Sequence, residues 1–313
     1  MTIIEVTRHS VAEQRIEQAL EGMSERAFSR WHTMRYGDMP LRRGLRELGE
    51  ELVEYVAART LPDPALRAPE SRIALITAAE CAMGVLSLAC FPDGDFSVPL
   101  PLTTRTLDSE DLHYEEEWEP ARPGTSARTW SDAFTWSVLS GLLWEPARMI
   151  GPLLRDDYAP AIRDGVPYSK RESVSAAADL AEMDALCGYL TDVQGRHPDA
   201  RPGPAPLHKP NAVERARTAE QLDEAGTLTP DQRLLRVLLD DDQPAFEQAL
   251  QQRLVTHRES VGANPAARSL LPVGAATLTA LANLAHGWQL GIRSAYLPEA
   301  VVSAPQPQVA PLG

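Results

Sequence analysis

At 313 residues, 43% hydrophobic and 24% charged, the chain is long enough to bury a sizeable core and close to globular averages, which excludes global disorder. Its 44 acidic and 30 basic residues give a formal net charge of −14, which would repel a nucleic-acid backbone and favour a basic partner, so nucleic-acid binding is disfavoured. Arginine carries nearly all the positive charge, since only Lys170 and Lys209 are lysines. That bias, with abundant Ala, Asp and Pro, suggests a GC-rich bacterial genome.

The first residues, Met-Thr-Ile-Ile-Glu-Val-Thr-Arg-His, lack a basic stretch followed by an apolar core, which predicts no signal peptide and a cytoplasmic protein. A helix is expected over 11–35. Leu41, Leu45, Leu48, Leu52 and Tyr55 then step by four and three, which places them on one face of a helix. Ile73, Ile76, Met83, Leu86 and Cys90 do the same. Cys81 and Cys90 fall inside apolar helical patterns. With Cys187 they make an odd count without a Cys-x-x-Cys pair, so reduced, buried, inert thiols and no intramolecular disulfide are expected. The stretch from Phe96 to Leu102 reads as a short extended piece whose prolines argue against a central strand.

Residues 92–125 are proline-bearing and strongly acidic. Asp108, Glu110, Asp111, Glu115, Glu116, Glu117 and Glu119 put seven acids into twelve residues, interleaved with His113, Tyr114 and Trp118. Two readings stand side by side: a solvated loop, or a contact in which the acids steer a basic partner while an aromatic anchors it. Glu110 and His113 have Glu-x-x-His spacing, but helical di-iron sites need two such motifs plus facing carboxylates. No metal and no cofactor are therefore expected.

Trp130, Phe134, Trp136 and Trp144 lie in a helix expected over 127–144 and point to more than one of its sides, so that helix is expected to be buried on several faces. Another helix is expected over 146–156, and Leu180, Met183, Cys187 and Leu190 mark one more apolar face. The prolines of 197–210 remove amide donors and break the helical pattern. Beyond the break, helices are expected over 212–225, 230–240, 244–259 and 270–286, and Thr229 before Pro230 is a good helix start. Asp240, Asp241 and Asp242 either cap the next helix or form a second acidic contact patch. His257 shares an apolar face with Phe246, Leu250 and Leu254, which predicts a buried imidazole bonded to backbone or a carboxylate. The run 273–285 contains Thr277, Thr279 and Asn283 and falls short of the roughly 20 residues a bilayer span needs, so no membrane association is expected. Trp288 to Ser294 reads as a short extended piece. No Gly-rich phosphate loop or Gly-x-Ser-x-Gly elbow is present, so no catalytic residue is assigned.

The order of features over 240–302 resembles the immunity 49 family of bacterial polymorphic-toxin systems: the Asp-Asp-Asp helix start, Phe246, the Val-Thr-His257 step, Ser269-Leu-Leu-Pro and Ser294-Ala-Tyr-Leu-Pro298. Trp130 to Leu143 followed by Arg148-Met149 is similar to that family's Trp- and Ala-rich central helix and Arg-Met step, and Ser71 to Phe91 running into Pro92-Asp93-Gly94 to its earlier helix and turn. The resemblance implies a protein that occludes a toxin and implies no active site.

The expected fold is all-α: one globular unit of about ten helices over 1–302, either undivided or in two lobes of stacked hairpins, 1–195 and 211–302, with a flexible tail at 303–313. The expected function is an immunity protein that binds and neutralises a cognate toxin through an acidic surface. The alternative is an enzyme or ligand-binding protein of a specialised bacterial biosynthetic pathway built on the same scaffold, since fold does not fix function.

Overall fold

The computed structural model describes residues 3–91, 94–109, 126–165, 174–191 and 206–303. It is 67% helical. The all-α expectation therefore holds, with short strands at its margins.

Strand β1 (Ile4–Val6) leads into α1 (Glu13–Leu20) and α2 (Met23–Tyr36). The single helix expected over 11–35 is thus two. Gly22 sits between them at φ +57, a left-handed conformation that glycine adopts without steric cost and that reverses the helical path. Helix α3 (Leu41–Arg59) buries Leu41, Leu45, Leu48, Leu52 and Tyr55, the face that the sequence spacing marks. Next comes α4 (Pro69–Cys90), which starts on a proline and buries residues on all its sides. It is longer than the 273–285 run and, by length and a mean hydropathy of 2.0, could cross a membrane; 72% of that window is buried inside the protein, where α3 and α5 (Ala127–Ser140) pack against it. Ile73 departs from expectation, being 39% exposed.

Strands β2 (Ser97–Leu100) and β3 (Arg105–Asp108) pair antiparallel as an edge hairpin and lay Val98, Leu100 and Leu107 on the core. Helix α5 is capped by the Ser126 hydroxyl, which accepts from the Thr129 amide at 3.2 Å, and ends at Gly141 in the left-handed region at φ +81. Trp144 therefore lies in a separate short turn, outside the helix expected to hold it. Trp130 and Phe134 stack within α5, with centroids 5.4 Å apart, and the Trp130 indole donates to the Leu154 carbonyl at 2.8 Å.

The helix expected over 146–156 is also broken. Met149, at φ +50, separates a turn at Pro146–Arg148 from α6 (Ile150–Pro152), which continues through a π-helical segment (Leu153–Tyr158) into α7 (Ala159–Asp164). Helix α8 (Ala177–Cys187) stops before Leu190, which instead bridges to Leu207. Both α9 (Ala212–Glu224) and α10 (Pro230–Leu239) begin with reciprocal capping boxes, Asn211 with Glu214 and Thr229 with Gln232. Then follow α11 (Gln243–Ser260), α12 (Val273–Leu284), β4 (Ile292–Ser294) and α13 (Glu299–Val302).

Strand β4 pairs in parallel with β1, so the two ends of the described chain meet. Helix α12 packs on α5, and α9 and α10 pack on α8, which makes one apolar core that runs from Val6 to Val301. Cys81 and Cys90 are buried in that core. Burial raises the pKa of the Cys81 thiol and pushes that of Cys187, which is half-buried rather than buried as expected, up to about 12.

Candidate functional site

Of the acids singled out in the sequence, Asp108 ends β3 opposite Ser97, while Glu110, Asp111, Tyr114, Glu115, Glu116, Glu117, Trp118 and Glu119 lie outside the described residues. Glu110 and His113 lie outside them too. Among the described residues no group of three or more His, Cys, Asp or Glu side chains is placed to hold a metal ion.

Asp240, Asp241 and Asp242 form the turn between α10 and α11, and each has a different partner. Asp240 pairs with Arg236 one helical turn back, on the surface. The Asp242 carboxylate accepts from the Ala245 amide at 3.1 Å and caps α11, as a short acidic side chain before a helix should. Asp241 turns inward. Its Oδ2 meets Lys209 Nζ at 2.6 Å and Arg215 Nη2 at 3.1 Å, and its Oδ1 accepts from His286 Nδ1 at 2.8 Å. His286 Nε2 lies 2.9 Å from the Tyr189 hydroxyl. Arg215 also donates to the carbonyls of Leu239 and Pro210, which ties α9 to the end of α10.

Protons in this chain of contacts have one arrangement. A carboxylate only accepts, so His286 carries its proton on Nδ1, and neutral Nε2 accepts from the Tyr189 O–H. Burial lowers the imidazole pKa more than Asp241 raises it. Burial also opposes ionisation of Asp241, but Lys209, His286 and Arg215 together hold that carboxyl below its usual range. The Asp–His–Tyr series resembles a catalytic relay, yet Tyr189 is fully buried and offers no substrate access. It acts as a clamp that joins α8, α9, α12 and the α10–α11 turn.

A second cluster closes the chain ends. His9 Nδ1 is 2.6 Å from the Tyr296 hydroxyl and its Nε2 is 2.8 Å from Ser269 Oγ. His257 Nε2 lies 2.7 Å from the Ser269 carbonyl, the backbone bond that the sequence predicts, although the residue is half-buried rather than buried. Ser269, His9 and Tyr296 thus have the spacing of a nucleophile, base and orienting group. With the Ser269 hydroxyl donating to the Ala266 carbonyl at 2.7 Å, His9 Nε2 donates to the serine oxygen in the tautomer that satisfies both contacts. Nδ1 then accepts from Tyr296, and every polar atom in the set is satisfied.

Burial lowers the pKa of His9, His257 and His286, with neighbouring His257 and Arg8 adding to the effect at His9. A lowered folded pKa means that the unfolded chain binds more protons below its value of about 6.5, so the stability these residues contribute is fully present above about pH 6.5 and is lost as pH falls through the folded pKa. NMR titration of the imidazole Cε1–H signals is expected to give midpoints below 6.5 for all three. A midpoint at or above that value for His286 would contradict the neutral clamp.

A groove of about 490 Å³ lies beside α8 and α9, lined by Arg155, Arg163, Asp184, Cys187, Arg217 and Gln221 among others. Arg163 is held by Asp184 at 2.7 Å, and burial pushes the Cys187 thiol up to about 12.

Sequence reasoning missed the Asp241 and His9 clusters because each joins residues far apart in the chain. A weak signal existed for the first, since Lys209 is one of only two lysines. In comparison with known proteins, a family model described as Immunity protein 49 matches residues 63–301. No curated protein and no solved structure matches the chain.

Proposed function

The chain belongs to the immunity protein 49 family, and on that premise we propose that it binds a cognate bacterial toxin in the cytoplasm and neutralises it by occlusion, through an acidic surface that meets a basic toxin. The observation that carries the reading is the extent of the match, which takes in the Asp241 clamp and the Ser269, His257 and Tyr296 side chains. The charge of −14 supports the sign of the partner surface, because opposite potentials speed encounter. The acids at 108–119 are the densest source of that potential in the sequence.

The test is binding to, and protection against, the toxin encoded beside this chain's gene. Wild-type protein that neither binds nor protects would end the proposal. Within it, exposed acids mainly set the association rate, whereas a buried aromatic anchor is worth about 2 kcal/mol or more. Changing Glu115, Glu116 and Glu117 together to Gln is expected to slow association and flatten its salt dependence. Trp118→Ala is expected to speed dissociation about 30-fold. Kinetics at low and moderate salt check both, and wild-type behaviour in both variants would remove the 108–119 segment from the contact.

A further inference from the structure

We propose that the outer face of α2, edged by Arg105 of β3, is an anchor for the toxin contact and receives from the toxin a carboxylate beside an apolar side chain. This rests on the immunity reading and names a surface which that reading leaves open.

Tyr36 is 64% exposed and Phe28 43% exposed, both on α2. They flank Trp31, which is buried beneath them and whose indole donates to the Thr106 carbonyl of β3 at 3.1 Å. The Trp31 ring lies 5.4 Å from Phe28 and 6.0 Å from Tyr36, and His32 is 5.1 Å from Tyr36, so the four rings form one cluster on this face. The Arg105 guanidinium sits 5.2 Å from the Trp31 ring centre and 6.0 Å from that of Phe28, while Arg35 lies 5.3 Å from the Tyr36 centre.

Each part of this arrangement is costly in water and useful in an interface. Large rings on a helix lose little conformational freedom on binding, and Trp, Tyr and Arg are the residues that dominate interface energetics. A guanidinium stacked on a ring keeps its N–H edge free to hold a carboxylate with two parallel hydrogen bonds. Arg105 makes no ion pair among the described residues. On a chain of net charge −14 this is a local cationic spot, so its complement is an acidic group. Apolar contact with Phe28 and Tyr36 and pairing with Arg105 then fit one protein partner rather than a nucleic acid, whose phosphates the chain's net negative charge disfavours. Residues 28–36 also lie outside the 63–301 match.

Full-length wild type, Tyr36→Ala, Phe28→Ala and Arg105→Met are compared for toxin binding kinetics, with thermal unfolding as a control for folding. Tyr36→Ala is expected to weaken binding about 30-fold, chiefly through faster dissociation, and Arg105→Met about 10-fold, with unfolding midpoints near wild type. Wild-type affinity in both Tyr36→Ala and Arg105→Met would overturn the proposal while leaving the immunity reading intact. Wild-type protein that fails to bind would sink the immunity reading itself. A concentration-dependent dimer abolished by Tyr36→Ala, with toxin affinity unchanged, would assign the face to a second copy and also overturn the proposal.

Discussion

Asp241→Ala is expected to lower the unfolding free energy by about 3 kcal/mol, from the loss of a partly buried charge cluster together with backbone strain at the site. Removal of the carboxylate leaves Lys209 and Arg215 facing each other without a counter-charge, and the His286 Nδ1–H without an acceptor. Arg215 is only 12% exposed and the His286 side chain not at all, so water reaches these two poorly, whereas Lys209, 37% exposed, can turn to solvent. Position 241 also has φ +61, where alanine is strained and aspartate or asparagine is better tolerated. Asp241→Asn should therefore cost less, about 1 to 2 kcal/mol, since it keeps an acceptor and the backbone preference but loses the charge. Urea unfolding of both variants checks the order. An alanine variant within about 0.5 kcal/mol of wild type would show that Asp241 is not a clamp but a surface acid.

Arg148→Met is expected to cost about 3 kcal/mol, because it strands a carboxylate in the core. Glu80 sits on α4 among apolar residues with its side chain only 4% exposed, and Arg148 is the cation that meets it. Burial already raises the Glu80 pKa above its ordinary value, despite the guanidinium. Without Arg148 that rise grows, and the folded state takes up a proton that the unfolded chain, with its ordinary carboxyl pKa, does not hold. The gap in stability between variant and wild type should then shrink as pH is lowered from 7.5 towards 5. A second substitution, Glu80→Met in the Arg148→Met background, should recover most of the loss, since an apolar pair of similar volume avoids the desolvation of both charges. Paired denaturation curves at two pH values decide the matter. A gap that widens on acidification, or a double variant no better than Arg148→Met, would contradict it.

Leu45, Leu48 and Leu52 of α3 are fully buried, as their spacing requires, because neighbours three and four residues apart share a helix face wherever the helix sits. Thr229, Pro230 and Asp242 start helices for an equally local reason, the free amides of a first turn. His257 behaves as a lone imidazole on an apolar face must, by bonding to backbone. The breaks at Gly22, Gly141 and Met149 were less visible, since apolar periodicity runs past each and only the left-handed backbone conformation ends it.

Sequence alone thus determined an all-α chain of acidic character, the faces of its long helices, several of its caps and its likeness to an immunity family. All of these depend on residues within a turn or two of one another, or on composition. Tertiary structure alone decided that Asp241 faces inward while its two neighbours serve the surface and the cap. It decided also that His9 closes on Tyr296, that Glu80 is neutralised by Arg148, and that Phe28, Trp31, Tyr36 and Arg105 form one surface. Those pairings join segments that no periodicity relates, and a buried charge or imidazole takes whichever partner the packed helices bring within reach, because leaving it alone costs several kcal/mol.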